Sequence, residues 1–398
     1  MSNGTKTLLA IIVILILVWI GYAIVKSSPG EAPTTATSTE ALKIGVILPL
    51  TGDAATYGEP GRNLFALALD EVNAAGGVNG QMLEFIYEDG KCNGPVAASA
   101  AQKLVAIDKV QIIIGGFCSS ESLASIPVAE SAKVAMFSPG SSSPDLTGRS
   151  MYFFRNYPSD ASQGKILAEA AFNDKKWKTV AMLQEQTDFA LGIRKVFETR
   201  FVELGGKIIT EEFPSTASDF RSQLSKLRAA KPDALFLSLQ TFAPTEKILK
   251  QLSDQKWAPN LLLSDVATSE ELRTSRASQL EGALTAEFNT DPSNPKFSQM
   301  TSAYKAKYGV DVPYQGYAQT EYDAVYMVRD GLLAVGNSGE KFAAWGRTIK
   351  DWPGASGVIT IGPDGDRAAG HVVKVIKAGK LENYSAVSAT ATSSPVVQ

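Results

Sequence analysis

The chain has 398 residues, more than one ordinary domain holds, so two compact lobes with peripheral segments are expected. It is 44% hydrophobic and 20% charged with a formal net charge of −3, which excludes the basic excess of a nucleic-acid binder and suits a small neutral or zwitterionic partner. One histidine and two cysteines supply no zinc set of the usual Cys/His kind.

Met1 to Thr7 precede an uncharged apolar run from Leu8 to Val25. Its length favours an uncleaved membrane anchor over a cleavable signal peptide, whose apolar region runs to about 15 residues at most. Residues 1–7 would then be cytoplasmic and 8–25 transmembrane. No cysteine follows the run closely, which argues against a lipid-modified N-terminus. Residues 26–41, rich in Thr, Ser, Pro and Ala, read as a linker, and 383–398 as a polar tail.

From Lys43 short apolar runs alternate with segments of helical period, the pattern of an α/β fold with parallel sheets. Strands are expected over Lys43 to Leu50, Met82 to Glu88, Val110 to Gly115 and Val134 to Ser138. Leu64, Phe65, Ala68, Leu69 and Val72 form a helical stripe stopped by Gly76-Gly77, and Asn93 with Pro95 opens the next helix. Cys92 and Cys118 lie near strand ends. Spacing alone leaves them either bonded or as two unrelated buried thiols.

A second series has strands near Thr179 to Leu183, Lys207 to Phe213, Ala234 to Ser238 and Asn260 to Leu263, with helices centred near Ala168, Val196, Leu224 and Ile248. Two series of similar length imply two doubly wound lobes, with a ligand cleft between them. Later, Tyr322, Val325, Val328 and Leu332 keep helical spacing. Val358 to Ile361, the turn Gly362-Pro363-Asp364-Gly365 and Val372 to Ile376 read as a hairpin.

Several of these stretches carry a resemblance. Lys43-Ile44-Gly45-Val46 with Pro49-Leu50-Thr51-Gly52 and Tyr57-Gly58, the run Asp70 to Gly80, Ile114 to Ser120, Phe137 to Thr147, Phe154-Arg155 with Ser162-Gln163-Gly164, and Asp364-Gly365-Asp366-Arg367 are similar to the type I periplasmic binding proteins of the leucine/isoleucine/valine kind. The similarity covers about Leu42 to Leu381. It implies two doubly wound Rossmann-like lobes joined by a three-crossover hinge near Tyr157, Phe288 and Gly357. Lobe 1 would take 42–157 and 289–357, and lobe 2 would take 158–288 and 358–382. It also pairs Cys92 with Cys118, placing the globule outside the cytoplasm.

The resemblance implies a binding protein without cofactor or catalysis, holding an amino acid of aliphatic or branched-chain type and handing it to an ABC permease. A sensor ectodomain acting through a separate signalling chain is the alternative. An amino acid needs donors for its carboxylate, an anion for its ammonium and an apolar wall. Ser119, at a strand-to-helix turn, matches the carboxylate contact, where a simple helix cap would serve the same geometry. Gly140 and Ser142 match the turn that meets the ammonium, and Asp265 the opposing acid, expected to be hydrated in an open cleft. Tyr57 matches an aromatic wall residue. Phe189 and Phe242 fall where relatives often carry tyrosines and lack the phenol hydroxyl. Tyr317 and Glu121 are expected to be structural or solvent-facing.

Overall fold

The computed structural model describes residues 40–385. The expected transmembrane run, its cytoplasmic flank and most of the linker and tail lie outside them. No helix among the described residues is long and apolar enough to cross a membrane.

The first sheet is built from β1 (Leu42–Leu48), β2 (Leu83–Asp89), β3 (Ile112–Ile114), β4 (Ala135–Ser138) and β5 (Phe153–Arg155), in the order β2-β1-β3-β4-β5 with every pair parallel. Helices α1 (Ala55–Ala74), α2 (Gly94–Ala106) and α3 (Ser119–Ser131) connect the first four strands. Helices cover both faces of such a sheet, so its strands read as unbroken apolar runs; all three residues of β3 and all four of β4 are buried. Asn93 caps α2 as expected, accepting from the Val96 amide at 3.1 Å, with proline in the first turn.

After β5 the chain passes to a second sheet through α4 (Asp160–Glu169). There β6 (Thr179–Glu185), β7 (Lys207–Phe213), β8 (Ala234–Ser238), β9 (Asn260–Leu263) and β10 (Leu284–Phe288) alternate with α5 (Asp188–Glu203), α6 (Arg221–Ala229), α7 (Ala243–Asp254) and the short α8 (Glu270–Ser275) and α9 (Ala277–Leu280). In the core of this half Phe197 stacks on Phe201 and meets Phe236 edge-on. The chain then returns to the first half for α10 (Pro295–Tyr308), α11 (Gln315–Val335) and α12 (Gly339–Gly346), which pack on α1 and β4. It crosses back after a two-stranded ribbon of β11 (Trp352–Gly354) and β12 (Gly357–Ile359) to supply β13 (His371–Lys377) and β14 (Lys380–Asn383). The second sheet therefore has the order β14-β13-β10-β9-β8-β6-β7, with β13 and β14 antiparallel to their neighbours. The fold is α/β, with two doubly wound sheets and three chain crossings.

The expected late hairpin does not form. Its turn exists, with Gly365 N donating to Gly362 O, but Ile361 meets Arg367 in an isolated bridge. Arg367 holds the intervening loop to the crossings, donating to the carbonyls of Asn156 and Ser356. β13 instead finds a full antiparallel ladder on β10, pairing Leu284 with Val375 and Ala286 with Val373. The same loop is tied to β5 by Arg155, whose guanidinium is wholly buried and bonds Asp366 at 2.7 Å and the carbonyls of Ser141 and Ser143. A buried guanidinium is tolerable only with such full pairing. Asp364-Gly365-Asp366-Arg367 thus fastens the crossings.

Candidate functional site

Tyr57, Ser119, Gly140 and Ser142 lie beyond the carboxyl ends of β1, β3 and β4, while Phe189, Gln240 and Val266 follow β6, β8 and β9. Side chains after the carboxyl ends of parallel strands converge at the crevice where a doubly wound sheet binds its ligand. Here two such crevices face each other. Together with Phe117 and Tyr317 these residues enclose an inner cavity of only about 10 Å³, room for a single water. The Tyr57 hydroxyl closes it by donating to the Val266 carbonyl at 3.1 Å, joining residues 209 positions apart.

Ser119 is the first residue of α3, and Cys118 rather than Ser119 occupies its cap. The Ser119 hydroxyl accepts from the Ser143 amide at 3.1 Å, so it ties two site loops together at the positive end of a helix. Gly140 is required by its neighbour: a Cβ there would stand 2.6 Å from the Phe117 ring. The Phe117 ring lies between those of Tyr57 and Tyr317, at centroid distances of 5.7 and 5.1 Å, and forms the apolar wall. Phe117 was not singled out from the sequence, although it sits within the Ile114 to Ser120 stretch.

Asp265 is buried, not hydrated as expected for an open cleft. Its Oδ2 accepts from the hydroxyls of Tyr157 at 3.0 Å and Tyr317 at 2.9 Å, and its Oδ1 from the Val266 amide at 3.0 Å. Those donors replace the water it has lost. Burial raises its pKa, against the lowering effect of Tyr317, Gln163 and Tyr157. Asp160, hydrogen-bonded by Ser142, is pushed well above the ordinary carboxyl range by burial and by Asp265. Burial and Asp265 likewise push Glu287 up to about 8. Among the described residues lining the inner cavity none is lysine or arginine. The cavity wall offers an anion hydroxyls and a helix end, while Asp265, like Glu287, lines the adjoining chamber and not the inner cavity, which Asp265 reaches through its bond to Tyr317.

Tyr317, expected to be structural or solvent-facing, is buried and bonded to Asp265; it occupies the first turn of α11, a position that helical spacing alone leaves unmarked. Glu121 is structural and fully buried rather than solvent-facing. Its two oxygens accept from the amides of Cys92 and Cys118, each at 2.9 Å, and burial lifts its pKa to about 7. The two cysteines form a disulfide with a Cα separation of 5.2 Å. Phe189 lines the inner cavity, whereas Phe242 stands outside it in an adjoining chamber and Gln240 faces inward.

The sequence model of the family described as "Periplasmic binding protein" matches residues 41–380. An amino acid binding protein of Pseudomonas aeruginosa is 28% identical over 262 residues, 64% of this chain and 70% of the relative. A leucine-, isoleucine-, valine-, threonine- and alanine-binding protein of the same species is 26% identical over 304 residues, 76% of this chain and 80% of the relative. Among solved structures, a leucine binding protein from Thermotoga maritima superposes with a TM-score of 0.79 at 29% identity, over 87% of this chain and 98% of that one. The branched-chain amino acid transporter substrate binding protein of Streptococcus pneumoniae, in complex with isoleucine, gives 0.77 at 26% identity, over 86% and 98%. The chain belongs to the type I periplasmic binding proteins, in the group whose named members include leucine/isoleucine/valine-binding proteins.

Proposed function

We propose that the chain is an extracytoplasmic clamp that captures a free α-amino acid between its two lobes and delivers it to an ABC permease, held at the membrane by the run Leu8 to Val25. The reading rests above all on Asp265, a buried carboxylate oriented by Tyr157 and Tyr317, the second of which lines the inner cavity together with Ser119. In this reading the ligand ammonium lies against Asp265, Ser142 and the Gly140 carbonyl. Its carboxylate accepts from the Ser119 hydroxyl and the first amides of α3, and Tyr57, Phe117 and Phe189 pack on its carbon atoms. An ammonium among carboxyls that burial has starved of counter-charge is bound more strongly than in water.

With about 10 Å³ between the walls, the ligand enters only when the sheets separate, breaking the contact of Tyr57 with Val266. Reclosure then brings Asp265 and Phe189 over a ligand seated on Ser119. Ligand affinity for the closed form is what shifts this equilibrium. Relatives named for leucine, isoleucine and valine support an aliphatic side chain, whereas the charged walls of the adjoining chamber support a polar one. A thermal-shift screen of the full chain against the common amino acids tests the reading. A selective rise of the midpoint, worth ~2.7 kcal/mol at a hundredfold excess over Kd and absent from Asp265→Ala, is expected. A midpoint that no amino acid moves would refute it.

A further inference from the structure

Seven large apolar side chains stand exposed among the described residues, and four of them share one end of the molecule. In the first sheet β1 to β5 are all parallel, so the residues that precede them form a row across the end of that sheet opposite the crevice. With strands about 4.8 Å apart, the row is about 20 Å long. Met82 stands before β2 and is 44% exposed, and Met151 stands before β5 at 66%. Ile107, 70% exposed, precedes β3 together with Lys109, and Lys133 precedes β4. Leu333, 47% exposed, lies in the last turn of α11. From there the chain runs to Gly339, where an added Cβ would stand 2.3 Å from the Lys133 carbonyl oxygen. The matching end of the second sheet has Lys176, Lys207, Lys231 and Lys256 before its strands, but of the seven exposed apolar residues it holds Val202 alone. Single exposed apolar residues are ordinary, whereas a set gathered on one end marks a surface that something covers.

What covers it follows from where the chain enters the globule. Entry is at Leu42, whose amide donates to the Met82 carbonyl at 2.9 Å, and β1 lies between β2 and β3 in the sheet. The entering chain therefore comes in within the row, between Met82 and Ile107. A linker the length of residues 26–41 keeps that end within about 20–25 Å of the run Leu8 to Val25. Lys109 and Lys133 are exposed beside the apolar residues, while Asp108, Glu130 and Glu340 at the same end offset their charge. Apolar contact thus carries the attraction, and a short tether strengthens it through effective concentration. We propose that this far end of lobe 1 rests on the bilayer surface, with Met82, Ile107, Met151 and Leu333 among the lipid head groups and Lys109 and Lys133 against their phosphates. Lobe 1 is then held, and lobe 2 is the part that swings when the crevice closes. The inference rests on the reading of Leu8 to Val25 as a membrane anchor.

The test places the full chain in phosphatidylcholine nanodiscs whose head groups carry a nitroxide quencher. An environment-sensitive fluorophore is attached through Ile107→Cys, and in a second sample through Val202→Cys at the far end of lobe 2. Quenching at position 107 is expected to exceed that at 202 at least about threefold. Adding Met82→Ser and Met151→Ser should cut the quenching at 107 by about half or more, with the melting midpoint unchanged because both side chains are exposed. A chain that does not enter the nanodiscs refutes the anchor and the inference with it. A chain that enters but is quenched equally at both positions, more at 202, or at neither overturns the inference and leaves the anchor standing. Quenching at 107 that survives the two serines overturns it too, since the tether alone then explains the nearness. A label at 107 that is shielded from water yet unquenched, in particles holding two copies of the chain, overturns it in favour of a contact between copies.

Discussion

Asp265 and Glu321 are both carboxyls that folding has taken out of water, and they differ in what replaced it. Asp265 receives two phenols and a main-chain amide. Glu321, on α11, is 2% exposed, its Oε1 has no partner among the described residues, and burial alone holds its pKa well above the ordinary value. For an acid whose folded pKa is raised, stability is full below the unfolded pKa of about 4.3 and is lost as pH rises toward the folded value. Glu321→Gln should therefore stabilise the chain at pH 7 by ~1 to 3 kcal/mol, with the gain vanishing near pH 4. Denaturant melts at the two pH values check this, and an equal gain at both would show that ionisation is not the cause. Glu321 could not be singled out from the sequence, since one acid in a helix says nothing of its surroundings.

At the scale of elements, Cys92 precedes α2 and Cys118 caps α3, so their disulfide joins two helix beginnings across 26 positions. Glu121 fastens the same corner through both oxygens. Closing a loop of that length is worth roughly 3 kcal/mol on the chain-entropy view. The paired substitution Cys92→Ser with Cys118→Ser should lower stability to unfolding by about that amount. Because α3 carries Ser119, it should also weaken amino-acid binding. An unchanged denaturant midpoint would contradict the loop constraint. The resemblance pointed to this pairing where spacing left it open. The late strands show the opposite case: a turn was legible in Gly362-Pro363-Asp364-Gly365, but which partner β13 took was settled by the long ladder offered by β10 and by the pull of Arg367 on the loop.

Across the whole molecule one of the contacts between the lobes is set by a glycine. Gly192 on α5 lies so close to the opposite lobe that a Cβ would stand 2.8 Å from Ser143 Oγ and 2.9 Å from Pro144 Cδ. Gly192→Val should act as a wedge, holding the lobes apart without touching either core. Small-angle scattering is expected to show compaction of the unmodified chain with a bound amino acid and none in the variant, whose affinity should fall about tenfold or more. Equal compaction of both would mean that closure does not pass through this contact.

The sequence by itself determined the alternation of strands and helices and the division into two doubly wound series, whereas the loops expected at the crevice came from the resemblance. Those signals are local: apolar runs, helical stripes, caps and loop residues are written in neighbouring positions. Only the tertiary structure decided that Asp265 would be met by Tyr157 and Tyr317, that Phe117 would form the wall beneath Gly140, and that Phe242 and Asp265 would line a chamber outside the inner cavity. The Asp265 contacts join positions 108 and 52 apart, and Tyr57 reaches Val266 across 209. They depend on how three crossings set one sheet against the other, and no periodicity along the chain encodes that angle.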